Sequence, residues 1–428
     1  MSIYNAETTL NQLKDFQRDT AEWVFKRLFD NENLTDRFLV ADEVGLGKTI
    51  VAKGVVALVL KHLQSLGDSR HDIVYICSNS SIARQNIKKL VPNEVNPLDN
   101  VERLTMLAVA ELDEGNESHA GINLLAISPG TSFAFGRSTG KFQERALAYT
   151  FVRELWGEEF LNSPQARKIF WSGVDDGERK LKERYRQFKK IAKQHLLEFE
   201  KQICIIDNEL QAQGSPTLKA QFEKLTSDLK FSRGKIPSQL SGPRSEVIGA
   251  FRRALATLGI NMLKPDLIIL DEFQRFKDLM DPASTDWAST LARQLFSHYD
   301  EESGRGTKVL LLSATPYRMY ARSGESDDHF ADFLNTCFFL FQDQNDVKEL
   351  RKDFSLLRLA MTNTSDTEDA SFICARIQKR LSLVMARTER LGVTPDRNGM
   401  LEEHIHLLPV STDDLHAYAR IGNISSGL

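Results

Sequence analysis

The chain has 428 residues, 41% of them hydrophobic and 27% charged, which is enough apolar material for at least one large core and excludes whole-chain disorder or a collagen-like repeat. Lys and Arg total 55 against 59 Asp and Glu, a formal charge of -4, so any nucleic-acid-binding surface must be local rather than a property of the whole molecule. The four cysteines, Cys77, Cys204, Cys337 and Cys374, are far apart without metal-ligand spacing, no apolar run approaches a membrane span, and the first residues lack a secretion signal. A reducing, cytoplasmic setting without a membrane partner is therefore expected.

Taken in chain order, short apolar runs at Phe38-Leu39-Val40, Ile73-Val74-Tyr75-Ile76-Cys77, Leu124-Leu125-Ala126-Ile127, Leu267-Ile268-Ile269-Leu270 and Val309-Leu310-Leu311-Leu312 read as buried strands. Amphipathic stretches between them predict a parallel α/β sheet flanked by helices. From about Gly136 to Asn261 the strand signal disappears. Leu181, Tyr185, Phe188, Ala192, His195, Phe199, Ile203, Ile206 and Leu210 recur there at helical spacing, predicting one long helix. Gly214-Ser215-Pro216 reads as a stop, an N-cap and a first-turn proline, after which Leu218, Phe222, Leu225 and Leu229 continue the stripe as the return arm of an antiparallel helical hairpin. Either pairing within the hairpin or docking on the main domain would hide these stripes. Between Glu178 and Lys201 lie nine Lys or Arg and four Glu, which reads either as a solvated helix face or as a contact for nucleic acid or a protein partner. The expected organisation is a first α/β part over 1–135, a helical insertion over 136–261, a second α/β part with a helical extension over 262–392, and a connector over 393–428.

The chemistry-bearing residues begin at Asp42-Glu43-Val44-Gly45-Leu46-Gly47-Lys48-Thr49, between a strand and the apolar helical run Ile50 to Leu60. A phosphate chain needs inward-pointing backbone N–H groups, a helix N-terminus behind them and a cation within reach. Gly45 and Gly47 let the backbone curl around Leu46, Lys48 supplies the cation, and the Thr49 hydroxyl suits Mg²⁺. Asp42 stands where the usual loop has its first glycine. Next, the strand Leu267–Leu270 ends in Asp271-Glu272, which suits Asp271 to hold Mg²⁺ and Glu272 to activate water. A helix N-terminus complemented by these acids is the other reading. Ser313-Ala314-Thr315 then closes a third strand, with Ser313 and Thr315 in reach of the acidic site or simply ending the strand.

In this order the motifs resemble the first RecA-like lobe of superfamily 2 helicases and translocases, and the Asp-Glu-x-Gly-Leu-Gly-Lys-Thr form resembles their Swi/Snf-type branch, including bacterial relatives that recycle RNA polymerase. The resemblance covers roughly Leu10 to Ser132 and Asp266 to Arg390. It implies an ATP-binding, nucleic-acid-dependent ATPase with Mg²⁺ as cofactor. Leu13-Lys14-Asp15-Phe16-Gln17 resembles the adenine-reading element, with Gln17 on the base. Ser78, Asn79, Arg84 and Gln85, with Ser128 and Thr131, match the positions that touch the nucleic-acid backbone, although turn chemistry and capping also suit such residues. Duplex DNA is the polymer the resemblance favours, and defence of bacteria against phage the setting. It further implies a second RecA-like lobe, in cis or in trans, because no motif of that lobe occurs before Leu428. Gln274 departs from the His or Asp common at its position. A nucleotide-sensing scaffold subunit, with the helical insertion holding a protein partner, is the rival reading.

Overall fold

The computed structural model describes residues 5–30, 35–67, 70–90, 103–109, 121–127, 139–229, 235–281, 284, 286–301, 303–314, 329–362, 367–389 and 412. The chain divides into two units, Met1–Thr388 and Glu389–Leu428, and the fold below belongs to the first. Helices α1 (Ala6–Leu10) and α2 (Asp15–Phe29) lead to β1 (Arg37–Val40), followed by α3 (Lys48–Ser65), β2 (Arg70–Cys77), α4 (Ser80–Leu90) and β3 (Gly121–Ile127). Six helices follow without a strand: α5 (Phe142–Trp156), α6 (Pro164–Trp171), α7 (Gly177–Gln194), α8 (Leu196–Ala212), α9 (Leu218–Asp228) and α10 (Ser241–Leu263). The chain then returns to β4 (Leu267–Asp271), a 3-10 segment (Phe273–Met280), α11 (Trp287–Phe296), β5 (Tyr299–Asp300), β6 (Arg305–Gly306) and β7 (Lys308–Leu312). It continues through α12 (His329–Phe341), α13 (Gln344–Thr362) and α14 (Thr367–Leu381) to β8 (Met385–Ala386).

All five expected strands form. They join β8 in one parallel sheet of order β3-β2-β4-β7-β1-β8, while β5 and β6 pair separately and antiparallel. Strand side chains alternate between faces, and the two cores follow that alternation. Phe38, Val40, Ile73, Tyr75, Ile269 and Leu310 pack under α1 to α4, whereas Leu39, Val74, Ile268, Leu270, Val309 and Leu311 pack under α10, α11 and part of α12. The strands are apolar on both faces because both faces are covered.

The helical segment has its own core, in which Phe151, Phe170, Phe199, Phe222 and Phe251 are fully buried. Its stripe residues Leu181, Phe188, Phe199, Ile203, Phe222 and Leu225 pack with residues of α5, α6 and α10, so pairing within a two-helix hairpin is not what hides them. The expected single helix is two helices meeting at His195, whose backbone (φ -110°, ψ 18°) departs from helical geometry. The N-cap of α9 is Thr217 rather than Ser215: the Thr217 hydroxyl accepts from Ala220 N, and the carboxylate of Asp207 on α8 accepts from Leu218 N at 2.7 Å. Helix α10 runs through the boundary expected at 261/262. Its Phe251 and Leu255 belong to the helical core, and its Ala256 and Ile260 to the sheet. A buried carboxylate ties the segment's entry to this helix, for Glu144 on α5 accepts from Arg252 Nε and Nη2 at 3.1 and 3.0 Å, Arg103 Nη1 at 2.8 Å and Thr105 Oγ1 at 2.8 Å.

Candidate functional site

The register of the sheet brings four of the sequence motifs to one edge. Leu312 is opposite Val40 on one side and Asp271 on the other, and Cys77 is opposite Asp271 in turn. The loop after β1, the acids at the end of β4, Ser313 after β7 and Ser78-Asn79 after β2 therefore leave the sheet at the same carboxyl ends, where ligands of open parallel sheets bind.

Between β1 and α3 the chain turns through Gly45 (φ 88°) and Gly47 (φ 84°), both left-handed, and enters α3 at Lys48. Gly47 has no room for a side chain, since an added Cβ would lie 2.7 Å from Gln17 Nε2. Gln17 braces this turn. Its Oε1 accepts from Lys14 N at 3.1 Å and its Nε2 donates to Leu46 O at 2.8 Å, with the side chain buried at the start of α2. Phe16 is half-buried beside it. Gln17, expected on the adenine edge, thus gives a donor to the loop and an acceptor to the N-terminus of α2.

Lys48 Nζ donates to the backbone carbonyls of Asp42 (3.0 Å) and Glu43 (3.4 Å), closing the loop on itself. Burial lowers its pKa, and the charges of Asp42, Asp271 and Glu272 act against that shift. The ammonium and the acids at the end of β4 thus share one electrostatic neighbourhood.

Asp271 lies at the same alternation as Leu267 and Ile269, so it faces the side covered by α2 to α4. Its Oδ2 accepts from Tyr75 Oη and, at 3.5 Å, from Asn86 Nδ2 on α4, which also donates to Tyr75 Oη at 3.0 Å. Burial raises the Asp271 pKa, the Tyr75 bond opposes that rise, and the neighbouring Glu272 adds to it. Burial and the adjacent carboxylate raise the Tyr75 pKa as well, so Tyr75 stays a donor. Glu272 leaves the strand left-handed (φ 51°), its N–H donates to Leu312 O at 3.1 Å, and its exposed carboxylate meets Arg275 at 3.0 Å. Such a conformation in a non-glycine residue costs about 1–3 kcal/mol and is concentrated at functional sites. The acids end a strand, and Glu272 also leads directly into the 3-10 segment, its carbonyl accepting from Arg275 N at 3.1 Å, so the strand-end and helix-N-terminus readings both describe this position.

Ser313 is buried, its N–H donates to Val40 O at 3.0 Å, and its hydroxyl accepts from Gln274 Nε2. Ser313 thus meets Gln274, which stands where His or Asp was expected. Asn79 Oδ1 accepts from Ile82 N at 3.4 Å and caps α4, while Gln85 is exposed on that helix. Arg84 is also on α4, and its side chain, like Ser128, Thr131 and Thr315, lies outside the described residues. Thr49 is half-buried in the first turn of α3. Among the described residues, no group of three or more His, Cys, Asp or Glu is arranged to hold a metal, and no helix is long and apolar enough to cross a membrane.

Sequence reasoning missed Tyr75; the resemblance put Asn86 in the nucleic-acid-contacting stretch and Met385 to Arg390 near a lobe junction, without their contacts to Asp271 and to the loop after β1. Tyr75 is a polar-tipped residue in an apolar strand two positions before its end, which is the signal that would have found it. The segment Val384–Thr388 runs beside β1 and the glycine loop that follows it: Ala41 N donates to Ala386 O (2.8 Å), Glu43 N to Thr388 O (3.2 Å), and Thr388 N to the buried Asp42 Oδ1 (2.7 Å). Asp42 is thus a joint between the loop and the end of the first unit, which explains an acid where glycine is usual. Burial raises its pKa, and among the described residues its Oδ2 has no hydrogen-bond partner. No protein-family model matches the chain, and no curated protein matches it.

Proposed function

We propose that this chain is the first, RecA-like ATP-binding lobe of a nucleic-acid-dependent ATPase of the helicase or duplex-DNA translocase type. On this reading, residues 136–261 form an insertion within the lobe. The observation that carries the proposal is the register that sets Val40, Leu312 and Asp271 side by side, with the Lys48 ammonium under the charge of Asp271 and Glu272. A left-handed glycine loop opening an apolar helix suits a triphosphate chain, and the carbonyl bonds of Lys48 are ones an ammonium would exchange for phosphate oxygens. The donors fit a hard cation: Thr49 and Asp271 would hold Mg²⁺, which would supply positive charge to a bound triphosphate. Tyr75 and Asn86 orient the Asp271 carboxylate. Glu272, held at a strained turn and exposed, positions and deprotonates the attacking water, with Arg275 as its partner between turnovers.

In this reading Gln17 sets loop shape, and Asp42 with Thr388 transmits it to the chain that follows. A second RecA-like lobe, in cis or in trans, completes the clamp on the transition state. Ser78, Asn79, Arg84, Gln85, Ser128 and Thr131 form the expected track for a DNA backbone, and a cytoplasmic role in anti-phage defence suits such an enzyme. Equilibrium ATP binding with and without Mg²⁺ tests the site. The parent should bind more tightly with Mg²⁺, and Asp271→Asn should abolish that difference. Failure of the parent to bind ATP, or a Mg²⁺ effect that survives Asp271→Asn, overturns the proposal.

A further inference from the structure

The surface of α7 carries more positive charge than its ion pairs take up, with Lys189 Nζ 5.4 Å over the Tyr185 ring. Leu181, Phe188, Ile191 and Ala192 are buried, which fixes the opposite side toward solvent. On that side Arg186, Lys189, Lys190 and Lys193 are all exposed. Arg186 neighbours Lys189 and Lys190 at helical spacing, and each of those neighbours Lys193. Like charges at such spacings destabilise a helix. The acids of α7 are both near its start, where Glu178 pairs with Arg167 and Lys182, and Glu183 with Arg179. The helix dipole favours a cation in the last turn and so accounts for Lys193, but not for Arg186 and Lys189 upstream. A repulsive stripe on a chain of net charge -4 is therefore set for an external anion.

Its dimensions indicate which anion. From Arg186 to Lys193 the stripe runs about 10 Å along the helix axis, the length of about three successive phosphates on one strand of B-form DNA. On the flank of the helix, a cleft of about 530 Å³ is lined by Lys180, Arg184 and Gln187 together with Lys141 and Phe142 of the α5 entry, with Glu183 as its acid. Lys141 follows Ser132 by nine positions, so this end of the helical segment adjoins in sequence the stretch expected on the DNA backbone.

We propose that the exposed stripe Arg186, Lys189, Lys190 and Lys193 on α7 is a second, sequence-independent contact for the phosphate backbone of duplex DNA. It deepens the function proposed above and rests on it, giving the inserted helices a share in holding the track.

The test is the salt dependence of binding to a labelled random-sequence DNA duplex by the full chain. Each phosphate contact contributes about 0.9 to the slope of log K against log salt. R186Q/K189Q/K190Q/K193Q should lower that slope by about 2.7, for three phosphates, and weaken binding about five hundredfold in about 0.1 M salt. K348Q/R351Q/K352Q/R358Q, which removes the same charge from exposed positions on α13, should keep the parent slope. If the quadruple variant does not fold, R186Q and K190Q alone, each lowering the slope by about 1, carry the test. Parent-like slopes in the stripe variants overturn the proposal, as they would if this face docks a protein instead. An equal loss in the α13 variant overturns it too. ATP binding measured on the same samples separates the two proposals, because the stripe variants should bind ATP as the parent does, and a parent that binds DNA through the stripe but not ATP would refute only the ATPase.

Discussion

Replacing Gly47 by Ala tests the claim that Gln17 shapes the phosphate loop. At φ 84° an L-residue costs about 1–2 kcal/mol more than glycine. The new Cβ would also fall 2.7 Å from Gln17 Nε2, so the Gln17 amide must move and give up its 2.8 Å bond to Leu46 O, worth about 1 kcal/mol. The expected destabilisation is about 2–3 kcal/mol. In a Gln17→Ala background the clash is absent and only the conformational cost remains, so the same substitution should cost about 1–2 kcal/mol. A double-mutant cycle by urea unfolding without nucleotide should therefore return a coupling of about 1 kcal/mol, with the two changes less than additive. Additivity within about 0.3 kcal/mol would refute the argument, because Gln17 and the loop would then be independent.

Glu144→Gln leaves the fully buried Arg252 without its carboxylate and should destabilise the protein by about 3–5 kcal/mol in urea unfolding; a loss below about 1 kcal/mol would show that the network is dispensable. Deleting residues 178–230 removes Phe199, Ile203 and Phe222 from around Phe151 and Phe251, so α5, α6 and α10 should lose helicity along with the deleted part. Circular dichroism that falls only by the deleted helices would contradict that. Burial holds His298 below the ordinary imidazole value of 6.5, so it is neutral when folded while its unfolded counterpart takes up a proton. Stability should consequently decline as pH falls below about 6.5, and His298→Gln should flatten that part of the profile; an unchanged profile would remove His298 as its cause.

Much of this architecture was legible because it depends on local pattern. A strand covered on both faces must be a short unbroken apolar run, and Phe38–Val40 and Leu267–Leu270 could be little else. Likewise the spacing of Gly45, Gly47, Lys48 and Thr49 states a backbone requirement directly. What was not legible depends on contacts across sequence. No local signal puts Tyr75 and Asn86 on Asp271, or Thr388 on Asp42, since these meetings follow from strand order. Met385-Ala386 is too short to show a period of two. Helical spacing predicted the buried face of α7 and α8 but not the break at His195, and it could not tell which of several apolar faces would cover the stripe. Capping chemistry was equally available at Ser215 and Thr217, and Asp207 on the neighbouring helix favours the start at Leu218.

The central claim is that Lys48 and the pair Asp271 and Glu272 act on one triphosphate from opposite chain segments. It is tested most directly by ATP affinity and hydrolysis measured side by side in Lys48→Ala and Glu272→Gln. Lys48→Ala should lose binding, whereas Glu272→Gln should bind ATP as tightly as the parent while hydrolysis falls to background. Equal loss of binding in both variants, or hydrolysis at the parent rate in Glu272→Gln, would contradict it.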